Sequence, residues 1–294
     1  MKLRSLLFVP GDSERKLSKS VTVSADALIL DLEDSVAPEN KTAARKLTGD
    51  FLAEQIEGRQ KQIWVRINPL DQPAALEDLA AIMHGRPDGI VQPKTRSPED
   101  VLLLGQHLED FEKELGFAMG STRILPVSTE TPAAIFSLGE YVRCDQRLAG
   151  LTWGAEDLGT AVGALSNKDR EGNWTSPFQL VRNLCLFAAH AAGVVAIDTI
   201  YADFRDLEGL RATCDEARRD GFSGKLAIHP DQVAVINSAF TPGEEEVIQA
   251  RRIVELFAAN PGKAALSMDG VMLDIPHLKQ ARNILAMAAD THQN

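Results

Sequence analysis

Short apolar runs recur along this chain, each followed by a longer amphipathic stretch, and that alternation constrains the fold more than any other feature. The runs lie at residues 3–9, 27–32, 63–67, 89–91, 148–154, 194–201 and 224–230, with a further one in the stretch 124–132, ILPVSTETP, where Ile124, Leu125 and Val127 are apolar. Helical patterns over 13–23, 38–56, 74–83, 97–115, 177–192 and 206–219 separate them, and Ser97-Pro98-Glu99-Asp100 is a strong helix start. Strands that alternate with helices form parallel βαβ units. Eight of them, counted to His229, match the number and size of a (β/α)8 TIM barrel. The rival, an open doubly wound sheet, would carry a glycine-rich GxGxxG loop after its first strand, and none is present. Nor is Gly224-Lys225 a phosphate loop, because Arg219 stands where the first glycine belongs. The expected class is therefore α/β: a barrel over 1–240, then a helical and extended lid extension over 241–294. Within that extension the pattern predicts a helix over 241–259 with Pro242 at its first position, an extended segment over 264–274 and a last helix over 276–289. It must pack on the barrel or on a neighbouring subunit. Residues 166–176 read as an irregular excursion.

In a barrel the strand C-termini face the active site. Reading them off gives Pro10-Gly11, Asp31, Glu33, Asp34, Arg66, Asn68, Lys94, Glu130, Trp153, Asp157, Asp203 and His229. Glu130 and Asp157 end neighbouring strands, and two hard oxygen ligands with open positions around them suit Mg2+. The alternative is that each acid caps a helix N-terminus. Arg66 sits inside an apolar run, where a cation needs a partner. Its planar fork suits a carboxylate, either an internal one such as Glu33 or a substrate's. Lys94 carries the same two readings. His229, before Pro230, reads as a structural histidine. No Ser–His–Asp order is recognisable by spacing.

Composition narrows the partners. The formal net charge of −11 and pI of about 5.1 argue against general binding to nucleic acid or anionic membranes, so an anionic substrate needs a local basic patch. No apolar run reaches the roughly 18–20 residues of a membrane helix, and Leu6-Leu7-Phe8-Val9 is too short for a signal peptide. Cys144, Cys185 and Cys214 stand singly, without zinc or disulfide spacing, which points to a reducing, cytoplasmic setting.

Several motifs recur in a specific order: RSLLFVPG (4–11), ADALILDLEDSVAPENKTAAR (25–45), VRINPL (65–70), IVQPK (90–94), GAEDLG (154–159), GFSGKLAIHPDQ (221–232) and GVMLDIP (270–276). Together they resemble the citrate lyase beta-subunit-like CoA-ester lyases of the HpcH/HpaI aldolase superfamily, over nearly the whole chain. The resemblance implies a (β/α)8 barrel and a Mg2+-dependent carbon–carbon lyase acting on a citramalyl-, malyl- or citryl-CoA type of thioester. It leaves open a malyl-CoA thioesterase or malate synthase outcome, or a non-catalytic subunit of a larger complex. By resemblance Glu130 and Asp157 are the magnesium ligands and Arg66 holds the substrate carboxylate. The acids Asp31, Glu33 and Asp34 then brace the arginine and the metal's waters; Lys94, a candidate substrate-binding residue, rests on its strand-end position and not on the resemblance. Arg15 and Lys19 fall where the family holds CoA phosphates. One departure is STETP around Glu130, where many members carry an Ile-Glu pair; it falls on the pocket wall.

The tail motif adds Asp274, counted with Arg66 and Glu33 among the catalytic residues. Val271, Met272, Leu273 and Ile275 around it are apolar, and desolvation there would raise its pKa, as suits a proton donor to an enolate. The alternative is an N-cap for the helix at Pro276. By resemblance the matching aspartate completes the site of an adjacent protomer, which implies a homo-oligomer, a trimer or a multiple of one.

Overall fold

The structure, a computed structural model, describes residues 3–144 and 146–289. It divides into two compact units, one running to Ile236 and one from Asn237.

In the first unit eight strands form one parallel sheet: β1 (Ser5–Pro10), β2 (Ala27–Asp31), β3 (Gln62–Arg66), β4 (Gly89–Gln92), β5 (Arg123–Pro126), β6 (Gly150–Thr152), β7 (Val195–Asp198) and β8 (Gly224–Ala227). Their order is β5-β4-β3-β2-β1-β8-β7-β6. The two edges meet through parallel bridges Ile124↔Leu148 and Val127↔Thr152, so the sheet closes into the (β/α)8 barrel that the strand count predicts. Helices follow the strands, among them Glu14–Ser20, Lys41–Glu54, Pro73–Ile82, Pro98–Leu115, Glu156–Ala161, Ser176–Ala191 and Leu207–Asp220. A further helix, Pro230–Ala239, was not legible in the sequence. There β8 stops at Ala227, and Pro230 opens a helix instead of ending a strand.

The two-residue period of a strand decides what the barrel interior contains. Leu6, Ile29, Trp64, Leu125, Ile197 and Leu226 are buried in one core cluster. Gly89 admits the Trp64 indole, whose ring would lie 2.2 Å from any Cβ there. Two residues further along β1, β2 and β3 the same phase brings Phe8, Asp31 and Arg66 to the C-terminal mouth. The opposite phase turns Asp198 and Lys225 outward, where Asp198 meets Arg182 of the helix Ser176–Ala191.

The second unit contains the helix Glu244–Ala258, an antiparallel hairpin of β9 (Ala265–Met268) and β10 (Val271–Asp274), and the helix Ile275–Ala289. Phe257, Leu273 and Leu278 form its core. Asp269 and Gly270 carry the turn with φ of 52° and 81°, the left-handed pair that a two-residue hairpin needs. The first helix begins two residues after Pro242. The Gly243 N–H donates to the Glu246 carboxylate at 2.7 Å, which closes the helix start there. Among the described residues no helix is long and apolar enough to cross a membrane.

Candidate active site

Arg66, at the end of β3, is braced on three sides. Its Nε and Nη2 donate to the two oxygens of Asp31 at 2.7 and 2.6 Å, and its guanidinium carbon lies 4.8 Å over the Phe8 ring. Nη1 is 2.9 Å from Glu33 Oε2. Asp31 is buried, and both its oxygens are in use, since they also accept the N–H groups of Glu33 and Ser35. Burial pushes the Asp31 carboxyl up, but the Arg66 bond and charge outweigh it and hold the group below its ordinary range. Of the two sequence readings for Arg66, the internal partner is thus occupied in fact. What remains for an incoming carboxylate is the Nη edge of the fork.

Glu33 and Lys94 extend the cluster. The Lys94 ammonium bonds Glu33 Oε1 and lies 3.7 Å from Asp34 and 3.6 Å from Asp157. Burial raises the Glu33 pKa despite both cations. Lys94 has φ of 50°, a left-handed conformation uncommon for a residue with a side chain, and such backbones cluster at functional sites. In that conformation its own N–H donates to Glu130 Oε2 while its side chain reaches the acids. Lys41, which sequence reasoning missed, holds the loop after β2 from below: its Nζ bonds the carbonyls of Leu32 and Glu33 at 2.6 Å and Asn68 Oδ1 at 2.9 Å. Nothing in its spacing sets it apart from a surface helix lysine.

Glu130 is buried at 5% exposure. It does not cap the short helix Pro132–Ile135; Thr131 does, accepting the Ala134 N–H. Gly154 lies against it, and a Cβ there would sit 2.8 Å from Glu130 Cγ. Burial raises the Glu130 carboxyl, the Lys94 N–H opposes this, and the charges of Glu33 and Asp157 add to it, leaving a pKa of about 8. Asp157 lies in the first turn of the helix Glu156–Ala161, more exposed than Glu130. Asp31, Glu33, Asp34, Glu130 and Asp157 face Arg66, Lys94 and Lys41, so with every carboxyl ionised the cluster carries a surplus of two negative charges. A divalent cation would offset that surplus and favour the ionised form of Glu130, so the residues present fit a magnesium ion. Two carboxylate ligands, Glu130 and Asp157, would leave such an ion open positions; among the described residues no group of three or more His, Cys, Asp or Glu is placed to hold a metal ion.

Other expectations fare differently. Trp153 is fully buried and donates to Asp198, away from the mouth, because it is one residue out of phase. Asp203 accepts the Arg205 N–H on a surface turn, and His229 stacks on Phe204 at 4.8 Å, a structural contact. Arg15 and Lys19 share the exposed face of the helix Glu14–Ser20, one turn apart. Asp274 departs from the expected raised pKa. Its carboxylate is 37% exposed, and its Oδ1 lies 2.5 Å from His277 Nδ1, a bond that holds the group below the usual carboxylate range. The apolar neighbours do not enclose it, since Val271 and Met272 are themselves exposed.

With the geometry in place, comparison with known proteins is informative. Residues 4–230 match the family model HpcH/HpaI aldolase/citrate lyase. The chain belongs to this family. It is 34% identical to the citrate lyase subunit beta of Haemophilus influenzae, over 98% of both chains. It is also 34% identical to the mitochondrial citramalyl-CoA lyase of Rattus norvegicus, over 97% of this chain and 86% of that one. The crystal structure of the protein CitE from Mycobacterium tuberculosis in complex with magnesium, acetoacetate and coenzyme A superposes with a TM-score of 0.78 at 29% identity, covering 97% of this chain and 98% of that one. Within this family the matched residues span all eight strands and every acid of the barrel mouth, and they stop short of Asp274.

Proposed function

We propose that this protein is a Mg2+-dependent lyase that cleaves a 3-hydroxyacyl-CoA of the citramalyl, malyl or citryl type into an acyl-CoA and a 2-oxo acid. The observation that carries the reading is the buried Glu130, with a pKa pushed to about 8, beside Asp157 in a carboxylate cluster with surplus negative charge. Glu130 and Asp157 would hold the ion, which when bound supplies Lewis-acid charge for the substrate's oxygens. The Nη edge of Arg66 holds the substrate carboxylate, while Asp31 and Phe8 fix the plane of the guanidinium, which orients the bond to be broken. Glu33, whose pKa is raised by burial, accepts the hydroxyl proton, and Lys94 steadies the charge that remains. Arg15 and Lys19 present two cations for CoA phosphates. Asp274, held ionised by His277, completes the site from a second copy of the chain, in a homo-oligomer of three subunits or a multiple of three, and the proton that Glu33 took returns to the enolate carbon.

The test is purified protein with Mg2+ and a panel of hydroxyacyl-CoA thioesters, following release of 2-oxo acid and acyl-CoA. Release that EDTA stops, and that Glu130→Gln and Asp157→Asn each abolish with the fold intact, supports the reading. Turnover that persists in EDTA or in either variant overturns it. Free CoA with a hydroxy acid in place of the 2-oxo acid would mark a thioesterase.

A further inference from the structure

The excursion at 166–176 takes no part in the barrel mouth, yet it is tightly built. Asp169 accepts the N–H groups of Glu171 and Asn173 at 3.0 and 2.9 Å, and this turn sets Lys168 opposite Trp174 in an antiparallel bridge. The Lys168 ammonium lies 4.7 Å over the Trp174 ring and 5.0 Å over the Tyr201 ring. Both rings are fixed: Trp174 meets Trp153 edge-on at 4.9 Å, and the Tyr201 hydroxyl donates to Asp206 at 2.6 Å. Cation–ring attraction therefore holds the ammonium in place with its donors unused.

Beside it, a cavity of about 190 Å³ is lined from the outward phase of β7 and β8 and from the helices Ser176–Ala191 and Leu207–Asp220. Three cations line it, Lys168, Arg182 and Lys225, against the carboxylates Asp198 and Glu216. Lys225 bonds Asp198 at 2.9 Å, and Arg182 spends its fork on Asp198 and Asp220. The Lys168 ammonium makes no hydrogen bond or ion pair with any described residue, so its donors are open to a ligand. Burial and the nearby Lys225 charge lower its pKa by more than the Glu156 and Asp198 carboxylates raise it. A dry cavity of about 150 Å³ holds benzene, so this volume admits roughly six to eight heavy atoms. The aromatic walls suit a ligand with carbon as well as charge, and the only guanidinium present is committed, which disfavours phosphate.

We propose that this side cavity binds a small monocarboxylate, with the Lys168 ammonium as its charge partner and the Trp174 and Tyr201 rings as its walls. It lies outside the barrel interior and does not rest on the proposed reaction. The probe is pyruvate, with acetate and inorganic phosphate as further arms, added to the full chain in EDTA while tryptophan fluorescence is followed. Trp64 and Trp153 are fully buried, so Trp174 is the reporter that lines the cavity. The expected result is a saturable change with pyruvate that Arg66→Lys retains, that Lys168→Met weakens about tenfold or more, and that Lys168→Arg restores. Equal affinity in Lys168→Met, loss in Arg66→Lys, phosphate binding as well as pyruvate, or no saturation up to about 10 mM overturns the proposal.

Discussion

Gly154→Ala tests the site more sharply than removal of a ligand would. Gly154 is not in the left-handed backbone region, so alanine is permitted by the backbone, and the change reduces to one added methyl group. That methyl carbon would lie 2.8 Å from Glu130 Cγ, 3.2 Å from Val127 Cγ1 and 3.3 Å from Glu130 Oε1. Ordinary contact begins at 3.4 Å, so Glu130 must retreat by about 0.6 Å. Glu130 has little room to do so, being buried and tied to the Lys94 N–H. Overpacking of this kind costs about 1–3 kcal/mol of stability. A misplacement of about 1 Å can cost roughly 100-fold in rate, so a shift of this size should lower kcat/KM by about 10-fold or more. The assay is thioester cleavage across a Mg2+ titration, with thermal unfolding in parallel. Gly139→Ala, where nothing lies within 4 Å of the added carbon, is the control. Wild-type kcat/KM and Mg2+ dependence in Gly154→Ala would refute the claim that the position of Glu130 governs activity.

Arg66→Lys keeps the charge but loses the fork on Asp31, and should lower kcat/KM by about 2 kcal/mol or more, roughly 30-fold; unchanged kinetics would make Arg66 purely structural. Asp274→Asn and Glu130→Gln proteins, each inactive, should regain part of the activity when dissociated and reassembled together, and no recovery in verified mixed oligomers would exclude a role for Asp274 in a neighbouring site. Acid stability should depend on Glu112, which is buried and takes both Nη groups of Arg147. Burial raises its carboxyl but Arg147 and two backbone N–H groups win, so its folded pKa lies below 4.5; the stabilisation is complete above 4.5 and is lost as pH falls through the lower folded value. Glu112→Gln should be about 3–5 kcal/mol less stable at pH 7, and its stability should fall less steeply below pH 4.5 than the wild type's; parallel denaturation curves would refute this.

Periodicity by itself determined the eight strands and most of the helices, because local alternation reports which face is buried. It also placed Asp31, Arg66 and Glu130 at strand ends, and the barrel rule then put them in one mouth. Only the folded chain could decide which of those acids are free. Asp31 and Arg66 are far apart in sequence, and no spacing reveals that they consume each other's hydrogen bonds. The same limit hid Lys41, whose partners come from two other loops. Trp153 failed as a rim residue because a shift of one position in a strand reverses the face, and the exact strand end is the least legible feature of a sequence. Asp274 shows the limit most directly. Its apolar neighbours suggested desolvation, but burial is a property of the packed structure, and a histidine three residues on sets its charge instead.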